Sequence, residues 1–277
     1  MQNRNIIATG VAALCAVCAT AQTLVFPGFT GASGLSLNDA SVTTGGSVLL
    51  ASSASDRRGS VFTTSQYAVT AGFSAVFAFR ISSPGGVSDG TSAGADGLAF
   101  VLQRQGATAL GGTGEALGYG QRGGTGAITP SVAVEFDTFR NSWDPNSNHI
   151  GVNTGGNLTS LATTNVAAAF DDSSLWHVWV DYNGTTLEVR AAQSTVRPTA
   201  ATLSTTLDLA TTLGGSSAFV GFTGATGSAY GTHEIVNFAF SQTYLNGGLA
   251  AVPEPSTYAL LALGLVVVGY VACRRRG

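Results

Sequence analysis

One stretch, Val132 to Val152, limits what this chain can fold into more than any other. It reads V-A-V-E-F-D-T-F-R-N-S-W-D-P-N-S-N-H-I-G-V. It begins as a strand, because Val132, Val134 and Phe136 alternate with other residues at the β period of two. On that period Glu135, Asp137 and Phe139 share the opposite face, so two carboxylates lie side by side. Like charges that close are costly unless something positive lies between them, and no Lys or Arg alternates on that face. Beyond the strand come Asn141, Asp144 and His149, and Asp144-Pro145-Asn146 is a turn signal that folds the segment back. Carboxylates, an amide and an imidazole within one strand and turn read as a metal site. Carboxylate and amide oxygens suit Ca2+, whereas an imidazole suits a transition ion such as Mn2+ or Zn2+. The mixed set therefore predicts two ions. The competing reading is a solvated loop after an ordinary strand, with His149 capping a turn.

The rest of the body reads as strands. Phe73, Ala75, Phe77, Phe79 and Ile81 alternate with Ser74 and Arg80, which predicts a half-buried strand. Trp176 to Tyr182, Asn183-Gly184, then Thr186 to Arg190 predicts a hairpin closed by a type I′ turn. Val236, Phe238 and Phe240 alternate in another strand, and no amphipathic helix is evident. Many strands with Gly-rich turns indicate an all-β antiparallel sandwich or jelly roll. Residues 22–247 read as one domain. The chain's three cysteines, Cys15, Cys18 and Cys273, all lie in terminal apolar segments outside that domain, which excludes a disulfide scaffold. An exported domain of this kind must rest on a large core or on bound metal. All 12 basic residues of the chain are Arg, and its net charge is −3. The body without its termini is more acidic, and with no basic stripe nucleic acid is excluded as a partner.

The segment E-F-D-T-F-x-N-x-W-D-P-x-x-x-H-I-G resembles the metal-binding signature of the legume-type (L-type) lectins. Further motifs follow in the family's order. They are Phe26-Pro27-Gly28-Phe29 with Leu35-Ser36-Leu37, then Ala95-Asp96-Gly97-Leu98-Ala99-Phe100, then Ala225-Thr226-Gly227 and Thr232-His233-Glu234-Ile235-Val236. The resemblance implies a concanavalin-like antiparallel jelly-roll sandwich of a flat and a curved sheet, with a sugar site at one rim. It implies Mn2+ (or another transition metal) on Glu135, Asp137, Asp144 and His149, and Ca2+ on Asp137, Phe139, Asn141 and Asp144. It also implies that Asp96 follows a cis peptide and accepts sugar hydroxyls, with Phe139 and Asn141 beside it. The Gly111–Gly120 loop, with Gly114 and Glu115, is expected to supply backbone donors, and Gly227, Ser228 and Ala229 to select among monosaccharides. Two departures stand out: the Asn141-to-Asp144 gap is shorter than in many plant members, and Glu115 aligns where many have glycine. His177 and His233 read as structural, and Trp143 as an apolar anchor of the metal loop or a stacking surface for a sugar.

Both termini carry address signals. Arg4, the apolar run Ile6–Ala19 and Ala19-Thr20-Ala21 predict a signal peptide over residues 1–21, cut before Gln22. Residues 248–257 hold a proline-stiffened linker with Val252-Pro253-Glu254-Pro255. Residues 258–277 read as an apolar helix ending in Arg274-Arg275-Arg276. This order resembles the PEP-CTERM sorting signal of bacterial exopolysaccharide-associated proteins. It implies an exosortase-type processing enzyme as partner, transient anchoring in the inner membrane, and a final place at the cell surface or in the extracellular matrix. The competing reading is a plain single-span anchor.

The leading expectation is an exported, metal-dependent lectin that binds exopolysaccharide or surface glycans and catalyses nothing. The enzyme alternative is a jelly-roll glycoside hydrolase resembling the laminarinase group, whose E-x-D-x-x-E supplies an acid and a nucleophile about 5–5.5 Å apart. Here Arg140 stands where the second glutamate belongs, and it cannot donate a proton at neutral pH. A third alternative is a structural matrix protein of this fold without sugar binding. A homo-oligomer is left open.

Overall fold

The computed structural model describes residues 23–90 and 94–253. In chain order the strands are β1 (Thr23–Phe26), β2 (Leu35–Asn38), β3 (Ser41–Val42), β4 (Val48–Ala51), β5 (Arg58–Thr63), β6 (Tyr67–Ala68), β7 (Phe73–Gly86) and β8 (Gly97–Gln103). They continue as β9 (Ser131–Asp137), β10 (His149–Thr154), β11 (Ala162–Asn165), β12 (Trp176–Tyr182), β13 (Thr186–Ala192), β14 (Leu203–Thr206), β15 (Ser217–Ala225) and β16 (Ala229–Ser241). One sheet runs β14-β13-β12-β7-β16-β4-β3, with β1 on β16. The other runs β11-β10-β9-β8-β15-β5-β2, with β6 on β15. Every named pairing is antiparallel, so the fold is the all-β sandwich that the alternation and Gly-rich turns predict.

The core lies between the sheets and is largely aromatic. Phe77 of β7 meets Phe100, Phe136 and Phe222 of the facing sheet at centroid distances of 5.8, 5.9 and 4.9 Å. Burying each ring contributes about 1.5–3 kcal/mol, and the edge-on pairs add to that. On β9 the core face is Val132, Val134 and Phe136. Glu135 and Asp137 therefore point to the outer face of their sheet.

Two expectations need correction. Strand β7 is not half-buried: Ser74, Val76 and Ala78 on its outer face are as inaccessible as the core face. The segment after β16 covers part of this face, because Val252, Leu249 and Ala251 pack on Val76, Trp179 and Ala239, and the amide of Leu245 donates to the Ser74 hydroxyl at 3.0 Å. The outer face of the other sheet is covered likewise, with Ala109, Tyr119 and Ile128 lying on Phe62, Ala99, Val101 and Ala133. The β12–β13 hairpin also forms, but not with a type I′ turn, which needs positive φ at both central residues. Only Gly184 is left-handed, at φ 100°. Asn183 instead uses its side chain, its Oδ1 accepting from the amides of Thr185 and Thr186. One five-residue helix, α1 (Leu209–Leu213), is capped by Asp208, whose carboxylate accepts from the amide of Thr211. At that length it leaves no helical periodicity to read in the sequence.

Candidate functional site

Strand pairing assembles the acidic group. In the β9–β10 register His149 stands opposite Asp137, and Gly151 opposite Glu135. The intervening loop therefore returns its imidazole to the strand that carries the carboxylates. Inside the loop the amide of Phe139 donates to Asp137 Oδ1 at 2.8 Å, and the amide of Asn141 to Asp144 Oδ2 at 2.7 Å. Asp137, Asp144 and His149 each offer a ligand atom, all within 4.8 Å of one another. Glu135 stands beside them, its Oε1 3.5 Å from His149 Nε2. It also accepts from Asn153 Nδ2 at 2.6 Å and from the Ser160 hydroxyl.

This group does not satisfy itself. Both ring nitrogens of His149 and Oδ1 of Asn141 are buried without a hydrogen-bond partner. Burial, then Glu135 and then Asp144, hold the Asp137 carboxyl well above the usual carboxylate range. Burial likewise raises that of Asp144. Unpartnered buried acceptors and adjoining carboxylates are expensive, and a cation among them removes both costs. Oxygen donors with one imidazole fit a hard ion beside a transition ion. The donor set therefore fits the metals that the resemblance implies.

The second cluster lies directly beside the first. The Ala95–Asp96 peptide bond is cis, and the Asp96 carbonyl accepts from the amide of Thr138, next to Asp137, at 3.0 Å. Gly227 and Gly114 close on the Asp96 side chain. A Cβ on Gly227 would stand 3.2 Å from Asp96 Oδ2 and 3.3 Å from Gly114 Cα. The amide of Gly114 donates to Thr226 O at 2.9 Å, which ties the two loops together. Asp96 Oδ2 is buried without a hydrogen-bond partner. Burial, with Glu115 second, pushes its carboxyl up to about 7. The result is a buried, unpaired acceptor rimmed by glycine backbone, chemically suited to a ligand that brings hydroxyl donors.

A family model described as the legume lectin domain matches residues 21–251. The chain belongs to the legume lectin family. A second model, the PEP-CTERM protein-sorting motif, matches residues 251–276 of this lectin. The lectin is 30% identical over 268 residues to L-type lectin-domain containing receptor kinase SIT2 of Oryza sativa subsp. japonica, covering 88% of this chain and 38% of the kinase. It is 33% identical over 156 residues to the basic agglutinin of Psophocarpus tetragonolobus, covering 53% of this chain and 61% of the agglutinin. In both cases the match spans less than two thirds of the relative's length. The winged bean acidic lectin, solved with methyl-alpha-D-galactose, superposes with a TM-score of 0.68 at 26% identity, covering 80% of this chain and 98% of that one.

The structure brings Glu135, Asp137, Asp144 and His149 together, and sets Asp96, Gly114 and Gly227 beside one another. Phe139 is half-buried between the two groups in sequence, and Asn141 sits in the loop between β9 and β10. Glu115 pairs with Arg122 Nε at 3.0 Å, and the backbone that meets the Asp96 carboxylate is that of Gly227, with Gly114 beside it. Ser228 is exposed, whereas Ala229 is buried at the start of β16. Trp143 is 42% exposed. His177 and His233 lie in β12 and β16 and are not part of the Asp137, Asp144 and His149 group. The sequence reading missed Asn153 and Ser160. Asn153 follows β10 out from His149 and meets Glu135 only through the strand pairing, a contact with no local sequence signal. The expected signal peptide and the expected apolar C-terminal helix fall outside the described residues. Among the described residues no helix is long and apolar enough to cross a membrane.

Proposed function

We propose that this legume lectin is an exported carbohydrate-binding protein that needs Ca2+ and a transition ion, Mn2+ in the first instance, to bind its glycan. The observation that carries the reading is the junction of the two clusters: the backbone of Asp96 is hydrogen-bonded to Thr138, one residue from Asp137. The transition ion would be held by Glu135, Asp137, Asp144 and His149. Calcium would be held by Asp137, the Phe139 carbonyl, Asn141 and Asp144. The ions supply positive charge that lets adjacent carboxylates stay ionised and fixes the loop they line.

Asp96 would accept sugar hydroxyls, with the amide of Asn141 as a donor and the Phe139 ring under an apolar pyranose face. Gly114, Glu115, Ser228 and Ala229 would complete the rim. The PEP-CTERM match supports export and processing by an exosortase-type enzyme, with the tail as a transient membrane anchor. Exopolysaccharide or another surface glycan is then the ligand within reach.

The test is a glycan array, galactosides included because the winged bean relative was solved with one. It is run with metals, with a chelator, and with Asp96→Ala. Losing a charged hydroxyl acceptor costs about 1.5–3 kcal/mol, or roughly ten- to a hundredfold in affinity. Binding should vanish with the chelator and fall by that factor in Asp96→Ala while its metal content stays at the wild-type level. A folded Asp96→Ala protein that binds glycan at full strength would refute the site.

A further inference from the structure

The outer face of the first sheet carries a strap that sugar binding does not use. After β16 the chain turns back at Gly247 and Gly248, with φ 120° and 71°. It then crosses β12, β7 and β16. Trp179 Nε1 donates to Leu249 O at 2.9 Å, and Asn237 Nδ2 donates to Val252 O at 3.0 Å. Val252 is 6% exposed and packs on Val76, Trp179 and Ala239. Gly248 permits the crossing: a Cβ there would lie 2.5 Å from Arg197 Nε, and Arg197 is itself pinned to Asp181 at 2.6 Å. Beside the strap a cavity of about 680 Å3 opens, lined by His177, Trp179, Thr195, Arg197 and the strap. The strap is held by two hydrogen bonds and by one buried residue, Val252, while Leu249 and Ala251 are half-buried and Ala250 is exposed, and a segment with so few buried contacts is one that opens locally.

The same residues begin the sorting motif, whose match starts at residue 251. A valine buried against Trp179 cannot also lie in the binding cleft of a processing enzyme. We propose that residues 249–253 form a clasp that holds the start of the sorting motif on the folded domain and competes with tail processing. The tail then leaves from the outer face of the first sheet and is cut when the clasp opens. Folding of the lectin domain thereby sets the rate at which its anchor is removed. This rests on the sorting reading above.

Two variants open the clasp without altering the motif. Gly248→Ala forces the strap off Arg197, and Asn237→Ala removes the bond to Val252 O. The first measurement is amide hydrogen exchange at residues 249–252 of the purified full-length chain. Wild type should show protection there, and both variants faster exchange. The second is a pulse-chase of tail removal in cells that carry an exosortase-type enzyme, with a tag in the mature domain. Loss of one neutral hydrogen bond should speed tail removal about three- to tenfold in Asn237→Ala, with Gly248→Ala changing in the same direction. An unprotected strap in wild type overturns the clasp. Faster exchange in the variants with unchanged tail removal overturns the competition. A tail that stays on all three chains overturns the sorting reading and the gate with it.

Discussion

Asp181 on β12 and Asp137 on β9 are both buried carboxylates on the outer face of a strand, one in each sheet. Around Asp181 the chain supplies its own cations. Arg197 Nη2 lies 2.6 Å from Asp181 Oδ2 and Arg190 Nη1 lies 3.7 Å from it, and Arg190 also takes Glu188 at 3.0 Å. Around Asp137 the chain supplies further anions, Glu135 and Asp144, and the nearest arginine in sequence, Arg140, is exposed. The first set is balanced in charge as folded, although Asp181 Oδ1 and Arg197 Nε are buried without a hydrogen-bond partner. The second lacks any cation of its own, and that difference in charge balance, more than the presence of acids as such, marks it as a candidate ion site.

The comparison breaks most visibly under chelation. Ions held at about a thousand times their dissociation constant add about 4 kcal/mol to stability. At about 2–4 °C per kcal/mol for a domain of this size, EDTA should lower Tm by roughly 8–16 °C in calorimetry of purified protein. An unchanged Tm in a protein free of bound metal would mean that the Asp137 set is self-sufficient after all. Next in size is Arg197→Met, which leaves Asp181 buried with the more distant Arg190 alone. Breaking a buried pair on one side costs about 3–5 kcal/mol, and Arg190 should keep the loss near the lower end. Because the two sets lie on different sheets, this loss should be the same, within about 0.5 kcal/mol, with and without metal. A loss that depends on metal would show the two charge sets to be coupled.

Legibility in the sequence follows the range of the interaction. Strand alternation and the ligand run from Glu135 to His149 are local, and both the sandwich and the acidic cluster were readable from them. The Asp181–Arg197 pair was not, since 16 residues and a register choice separate its members. The burial of Val76 escaped for the same reason: its cover comes from Leu249, Ala251 and Val252, far along the chain. Gly114 was readable as part of a glycine-rich loop. Its place beside Asp96 depends on the bond from its amide to Thr226 O, which no pattern announces.

A third buried group sharpens the contrast, because it is settled by neither arginine nor metal. His233 on β16 is wholly buried, and burial depresses its pKa to about 3, against a contact with the Ala95 carbonyl that acts the other way. It is neutral in the folded chain and titrates normally, near 6.5, in the unfolded one. Between those values the unfolded state binds the extra proton, so stability rises with pH there. His233 costs nothing above about pH 6.5, and its penalty grows as pH falls toward the folded pKa. By pH 5 it should reach roughly 2 kcal/mol, at about 1.36 kcal/mol per unit. His233→Gln, which carries no titrating ring, should flatten the stability profile between pH 6.5 and 5 by that amount, whatever its offset at neutral pH. Urea melts of both proteins at matched metal concentration measure it, because the carboxylate set contributes equally to the two profiles. If the variant keeps the wild-type slope, the acid sensitivity belongs to the metal cluster, and His233 is protonated in the folded chain as easily as in the unfolded one.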